Sequence, residues 1–346
     1  MRILFLYTEL AEYTMACLQA LRKQKATIMV VHFPINPEAP FAFDQEAKAG
    51  FFDLSAIPDY ASLEELVNRF QPDKIVCSGW INKWYLRICR KWSAKATCII
   101  TLDNHWNGGF KQQLMSILGK IWLSKWFKKI WVPGAPQKTY ALRLGFPEQC
   151  IMTGFYTCDT ERFEQMAADA YTTKNTSFPK VLLCVARYIP EKGYRELWSA
   201  FLQWQQESPN EWELWCAGAG KEFDQRVQHP KIKHLGFVQK QDWPSIISST
   251  GVFILLSHFE PWGVVVQEFA AASYPLILSK QVGAGEAFLG SENGWTVASS
   301  QPADIVQVFK ELGKKTDQEL MEMAKKSQVL AMRLTPDSWA TRLLEA

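Results

Sequence analysis

Short apolar runs alternate with amphipathic stretches along the chain. RILFLY (2–7) and TIMVVHF (27–33) flank a helical period over 11–22, and KIVCS (74–78), TCIITL (97–102), IWVP (130–133) and CIMTGF (150–155) continue the series. Helical periods over 63–70, around Trp84 to Leu86 and up to Arg143 fall between them. A second series comprises VLLCV (181–185), ELWCA (213–217), KHLGFV (233–238), VFILL (252–256) and LILS (276–279). Such runs are too short for ordinary helices and rich in branched residues, so they read as strands of a parallel sheet covered on both faces. Residues 303–334 are helical in pattern, and TPDSWATRLLEA predicts a capped last helix.

Alternating strands and helices predict an α/β architecture. At 346 residues and 48% apolar content the chain exceeds the size of one hydrophobic core, so two domains are expected. The pattern divides it into 1–155, a Thr- and Ser-containing connection at 156–179, a second domain at 180–330 and a final helix at 331–346. The first βαβ unit has no G-x-G-x-x-G turn, which argues against a dinucleotide site. Gly218-Ala219-Gly220 ends a strand and suggests close approach to a phosphate, but Phe223 stands where the third glycine would be. Eight scattered cysteines lack any Cys-x-x-Cys pair or histidine cluster, which favours buried free thiols over disulfides or a metal site. No apolar run reaches membrane-spanning length and no leader pattern opens the chain, so a cytosolic protein is expected.

Candidate chemistry concentrates at two strand ends. After VFILL, the stretch Ser257 to Gly263 breaks before a small-residue helix whose free backbone N–H groups suit a phosphate. Glu260 and Glu268 lie eight residues apart, on the order of 12 Å along a helix, a spacing better suited to the two ends of an extended ligand than to one glycosidic bond. Glu268 sits among apolar residues, where a charge is costly unless paired; the plainer alternative is a solvated helix-face carboxylate. After VLLCV, Arg187 and Lys192 are placed to deliver two cations to one anion.

Glu-x7-Glu with Pro-Trp-Gly after the first Glu, followed by AAASYP, and Arg-x4-Lys-Gly about 70 residues earlier, resemble the nucleotide-sugar signature of retaining glycosyltransferases of family 4. The resemblance implies a GT-B fold: two Rossmann-like domains with parallel sheets facing a central cleft, and a C-terminal helix crossing back to the N-terminal domain. It assigns Glu260 to the donor sugar, the amides near Trp262, Gly263 and Val264 to the diphosphate, Glu268 to the ribose, and Arg187 and Lys192 to the diphosphate charge. Phe237 and Val238 would lie beside the base, and Gly283 near the donor sugar or phosphate. His105, just past a strand end, would be the counterpart of a family histidine at the donor; Asp103 competes for that role. The family's N-terminal glycine-rich loop is absent, leaving Thr8, Glu9, Glu12 and Tyr13 to meet an acceptor or only solvent.

Charge is divided unevenly between the two halves of the chain. Residues 1–155 carry a surplus of +7 and the remainder −4. Between Asp73 and Glu148 the only acid is Asp103, against 13 Lys and Arg, and seven of 15 tryptophans fall between Trp80 and Trp131. Leu114, Ile117, Leu118, Ile121 and Trp122 share one side of a lysine-bearing helix, the pattern of a segment lying on an anionic membrane surface over 111–131. The alternative is a helix packed on its own sheet; no nucleic-acid motif accompanies the charge.

The resemblance therefore implies a retaining transferase moving a hexose from a UDP-sugar, or a GDP-sugar, to a glycan or lipid-linked acceptor at the cytoplasmic face, without metal. The alternatives are a sugar-nucleotide-binding scaffold and an epimerase or phosphorylase of the same fold.

Overall fold

The computed structural model describes residues 1–34 and 49–346, which divide into two units, 1–158 with 334–346 and 159–333. In unit 1 the elements run β1 (Arg2–Tyr7), α1 (Glu12–Lys23), β2 (Thr27–His32), β3 (Phe51–Asp53), α2 (Tyr60–Phe70), β4 (Lys74–Ser78), α3 (Lys83–Trp92), β5 (Thr97–Thr101), α4 (Phe110–Trp126), β6 (Lys129–Trp131), α5 (Ala135–Arg143) and β7 (Ile151–Met152). Their strands form a parallel sheet in the order β3-β2-β1-β4-β5-β6-β7. The order reverses between β1 and β4, which opens a crevice beyond their carboxyl ends.

Unit 2 contains α6 (Thr160–Thr176), β8 (Val181–Val185), α7 (Tyr194–Glu207), β9 (Glu213–Ala217), β10 (Ile232–Gly236), α8 (Trp243–Ser249), β11 (Val252–Leu255), α9 (Val264–Ala271), β12 (Leu276–Ser279), α10 (Gly285–Phe288), β13 (Gly294–Val297), α11 (Pro302–Gly313) and α12 (Asp317–Ala331). Its parallel sheet has the order β10-β9-β8-β11-β12-β13, reversing between β8 and β11. β11 and β12 are buried along their whole length, as continuous apolar runs in a two-sided sheet should be.

The expected connection at 156–179 is instead mostly α6. Asp159 caps its start by accepting from the Arg162 N–H, and Phe163, Met166, Ala167 and Ala170 fall on one buried face. The helix packs on α8, α9 and α12. Its outer face carries the polar residues that read as a linker, because a solvated helix face and a connection share one composition. Lys174 lies on the inner face, its ammonium 3.9 Å from the centre of the Tyr274 ring and without a hydrogen-bond partner. Burial pulls its pKa down to about 7.

The last helix, α13 (Pro336–Glu345), belongs to unit 1, as expected. A Thr335/Ser338 capping box starts it. Trp339 stacks on Trp131 at 4.8 Å and on Phe5 at 6.3 Å, and its indole N–H donates to the Phe155 carbonyl at 2.6 Å. Lys74 donates from Nζ to the Leu343 and Leu344 carbonyls, securing the helix end to β4.

α4 turns Gly119 and Leu123 inward. Its outward face holds Phe110, 80% exposed, and Ile117, 65% exposed, with Leu114, Leu118 and Ile121 beside them. The apolar residues just beyond the helix do not share that surface, since Phe127, Ile130 and Trp131 are buried. Among the described residues no helix is long and apolar enough to cross a membrane.

Candidate active site

The loops after β8 and β11 meet at the strand-order reversal of unit 2. Lys192 closes a turn after β8 and forms an ion pair with Glu260 in the loop after β11. Both side chains are largely covered, 13% and 15% exposed, so each charge depends on the other. Two further contacts tie the same loops: the His258 N–H donates to the Glu191 carbonyl at 2.8 Å, and His258 Nε2 lies 3.3 Å from Glu196. Gly193 must be glycine here. Its φ is +68°, and a Cβ would stand 2.3 Å from the Leu256 carbonyl oxygen. Arg187, at the end of β8, is exposed.

The loop after β11 is in turn fastened to the loop after β12. Gly283 N–H donates to Glu260 O at 3.0 Å and Ala284 N–H to Trp262 O at 2.8 Å. A Cβ on Gly283 would fall 2.1 Å from Pro261 O, so this glycine serves a backbone-to-backbone contact. Trp262 is buried against Phe288, while Gly263, at φ +91°, occupies the N-cap of α9 and bears no side chain over its N-terminus. Val264 is the first helical residue, and Glu268 lies one turn further on, half-buried. A helix start bared in this way favours an anion through free N–H groups and the helix dipole.

On the other side of β8, Gly218 N–H donates to Gly236 O at 2.7 Å, next to Phe237 and Val238 after β10. A Cβ on Gly218 would lie 1.9 Å from Ala186 O, and one on Gly220 2.6 Å from Tyr188 O. The close neighbour of this Gly-x-Gly in the Cβ direction is the backbone after β8. Tyr188, which sequence reasoning missed, anchors that backbone. It stacks on Tyr194 at 4.2 Å, and its hydroxyl lies 2.8 Å from His234 Nδ1. His234 Nε2 donates to the Val227 carbonyl, leaving Nδ1 to accept from the tyrosine; burial lowers the His234 pKa and favours this neutral ring. The only signal was an aromatic residue directly after Arg187.

His105 belongs to unit 1, in the loop after β5, where its carbonyl accepts from the Gln112 side chain at 2.8 Å. Asp103 and Asn104 of the same loop line a cavity of about 310 Å³ at the β1/β4 reversal. Thr8, Glu9 and Tyr13 line it too, and Thr8 Oγ1 and Ser78 Oγ lie 2.9 Å apart at its edge. The structure therefore groups the residues into two sets: Arg187, Lys192, Gly218, Phe237, Val238, Glu260, Trp262, Gly263, Val264, Glu268 and Gly283 in unit 2, and His105 in unit 1.

Residues 170–329 match the family model for glycosyl transferases group 1. Over that segment, just under half of its length, the chain is similar to group 1 glycosyl transferases. It is 33% identical over 134 residues to glycogen synthase of Mycobacterium tuberculosis, a match covering 37% of this chain and 31% of the relative. The match thus spans about a third of the curated relatives' length. Among solved structures, the chain resembles HepE of Anabaena in complex with UDP-glucose, with TM-score 0.74, 16% identity and coverage of 100% and 98% of the two chains. Sucrose-phosphate synthase of Thermosynechococcus elongatus gives TM-score 0.71 at 15% identity, with coverage of 100% and 98%. The fold is GT-B, with two Rossmann-like sheets of 7 and 6 strands.

The matched segment spans all of the unit 2 residues gathered above. His105 and the unit 1 cavity fall outside the matched segment, in the part of a GT-B chain where likeness is of fold alone.

Proposed function

We propose that the protein is a retaining hexosyltransferase, taking its sugar from a UDP-sugar, with GDP-sugar the second choice, and passing it to a hydroxyl of a glycan or lipid-linked acceptor. The observation that carries this reading is the linked loop set at the β8/β11 reversal, where Lys192 and Glu260 pair beside the bare N-terminus of α9. In the step proposed, the acceptor oxygen bonds to the anomeric carbon on the face the diphosphate leaves. The bond from that carbon to the diphosphate oxygen breaks with its electron pair, and the acceptor's proton passes to the departing phosphate. Arg187, Lys192 and the α9 amides stabilise the charge that develops there, so no metal is required. Glu260 orients the sugar and Glu268 the ribose. The test is thermal stabilisation by UDP, GDP, ADP and their sugar conjugates. A ligand at about 100 times its Kd adds about 2.7 kcal/mol. One nucleotide should stabilise the wild type and fail to stabilise Arg187→Ala and Glu268→Ala. The anomeric configuration of the product, read by NMR with and without EDTA, tests retention and metal independence. Nucleotide binding without turnover of any acceptor would leave a scaffold, and an altered free nucleotide-sugar an epimerase.

A peripheral membrane position at the cytoplasmic face is part of the same proposal. It is favoured by α4, whose outward face combines Phe110, Leu114, Ile117, Leu118 and Ile121 with Lys111, Lys120 and Lys125 on the same helix. An apolar stripe flanked by lysines fits an anionic lipid interface, each lysine adding about 1 kcal/mol near the surface. Sedimentation with phosphatidylglycerol vesicles should capture the wild type, and Ile117→Glu/Ile121→Glu should remain in solution. Equal capture by neutral phosphatidylcholine vesicles would remove the electrostatic part of the reading, and no capture by either would remove the whole.

A further inference from the structure

The cavity of unit 1 has a chemistry opposite to that of the unit 2 loops. It opens beyond the carboxyl ends of β1 and β4, and its lining includes the aromatic residues Tyr13, Trp80 and Tyr156 and the acidic residues Glu9 and Asp103. Among its described lining residues there is no Lys, Arg or His, although residues 1–155 carry a surplus of +7. In a half so rich in cations, a binding-sized cavity without one is selective in its own right.

The polar groups inside are held in place. The Tyr156 hydroxyl donates to Asp103 Oδ2 at 3.2 Å, and Tyr156 stands edge-on to Tyr13 at 5.5 Å between ring centres. Burial and the neighbouring acid both raise the Tyr156 pKa, so the phenol keeps its proton and remains a donor. Asp103 therefore has one oxygen, Oδ2, engaged by the protein, and its other oxygen has the lone pairs to accept from a ligand hydroxyl. Carboxylates that accept, hydroxyls that do both, and aromatic faces that cover C–H surfaces form the complement of a sugar ring. At about 310 Å³ the volume lies at the lower end of ligand cavities, which start at roughly 300 Å³. A phosphate or carboxylate on the entering ring would meet two like charges without a compensating cation.

We propose that this cavity takes the acceptor's reacting end as an uncharged, hydroxyl-rich sugar ring, and rejects the same ring bearing a phosphate or a carboxylate. The assignment of the ligand as acceptor rests on the transferase reading above; the charge selectivity rests on the cavity alone.

The experiment uses the full chain, labelled with fluorotyrosine and without nucleotide, titrated with methyl glucoside, methyl galactoside and methyl mannoside, with glucose 6-phosphate, galactose 6-phosphate and mannose 6-phosphate, and with glucuronate. At least one neutral glycoside should move the Tyr13 and Tyr156 signals, with the anionic partner of the same sugar binding at least about 10-fold more weakly. Asp103→Asn should weaken the neutral glycoside about 10-fold and shrink the discrimination against phosphate. Glu9→Gln, on an exposed loop, should shrink that discrimination while the protein keeps its fold, which covers the case of an unfolded Asp103 variant. Equal or tighter binding of the phosphorylated sugar overturns the proposal. So does discrimination unchanged in both variants, or no neutral glycoside binding up to about 100 mM. Nucleotide stabilisation, measured separately, reports on unit 2, so a failed donor site and a failed cavity assignment give different results.

Discussion

The two sheets reverse their strand order in the same way, yet fill the resulting crevices by different means. In unit 2 the loops lie backbone against backbone: Gly193, Gly218, Gly220 and Gly283 each have a carbonyl oxygen where a Cβ would go. In unit 1, Gly79 lines the cavity at φ +64° with nothing within 4 Å of its Cβ position. Unit 2 therefore offers a rigid frame of main-chain groups with a few cations, suited to a diphosphate, which is alike in every nucleotide sugar. Unit 1 offers side chains around open space, which substitution can reshape without disturbing the sheet. A parallel sheet fixes where a ligand goes, and the loop chemistry decides how freely its identity can change.

The comparison is broken most forcefully at Gly218. Gly218→Val places carbon 1.9 Å from Ala186 O, and should cost more than about 4 kcal/mol, seen as a collapsed urea midpoint with loss of nucleotide stabilisation. An unchanged midpoint would mean that the unit 2 loops are not rigidly apposed. Next in size is Arg187→Ala, expected to lower kcat/KM by about 10²–10³, with Arg187→Lys recovering part of it; full activity in the Ala variant would leave the exposed guanidinium outside the chemistry.

Lys174 asks whether unit 2 tolerates a cation away from those loops. Its folded pKa of about 7 lies below the ordinary 10.5. Between these values the unfolded chain holds a proton that the folded chain lacks, so stability rises with pH across that window, and below it the full penalty applies. Lys174→Met should stabilise the protein at pH 7 by on the order of 3 kcal/mol and flatten the rise between pH 7 and 10. A variant no more stable than wild type would show that the Tyr274 ring compensates the burial. The smallest effect is expected at Gly79→Ala. With φ at +64° but open space around it, it should lose only about 1–2 kcal/mol and leave nucleotide stabilisation untouched. A loss matching that of Gly218→Val would erase the contrast between the units.

How much of this was legible in the sequence follows the same division. Strands in both units and the two-sided sheets could be read because buried strands are continuous apolar runs; Arg187, Lys192, Glu260 and Glu268 stood out through their spacing and its resemblance to a known signature, not through anything the strands dictate. The Lys192–Glu260 pair was not legible: 68 residues separate the partners, and only the adjacency of β8 and β11 brings them together. α6 was hidden by its polar outer face, and with it Lys174, since a lysine among threonines gives no sign of pointing inward. The apolar side of α4 was visible as a stripe; that it faces outward was not, because period alone does not say which side the sheet lies on.

The placement of α13 has a consequence for the order in which the protein is made. Unit 1 begins the chain but receives Trp339, which completes the stack on Trp131 and Phe5, only from residues synthesised after unit 2. Unit 2 thus has its whole sequence available while unit 1 still lacks part of its core. The domain begun first is the one completed last, and its exposed indole and phenyl faces must wait, through the synthesis of an entire neighbour, for the helix that covers them.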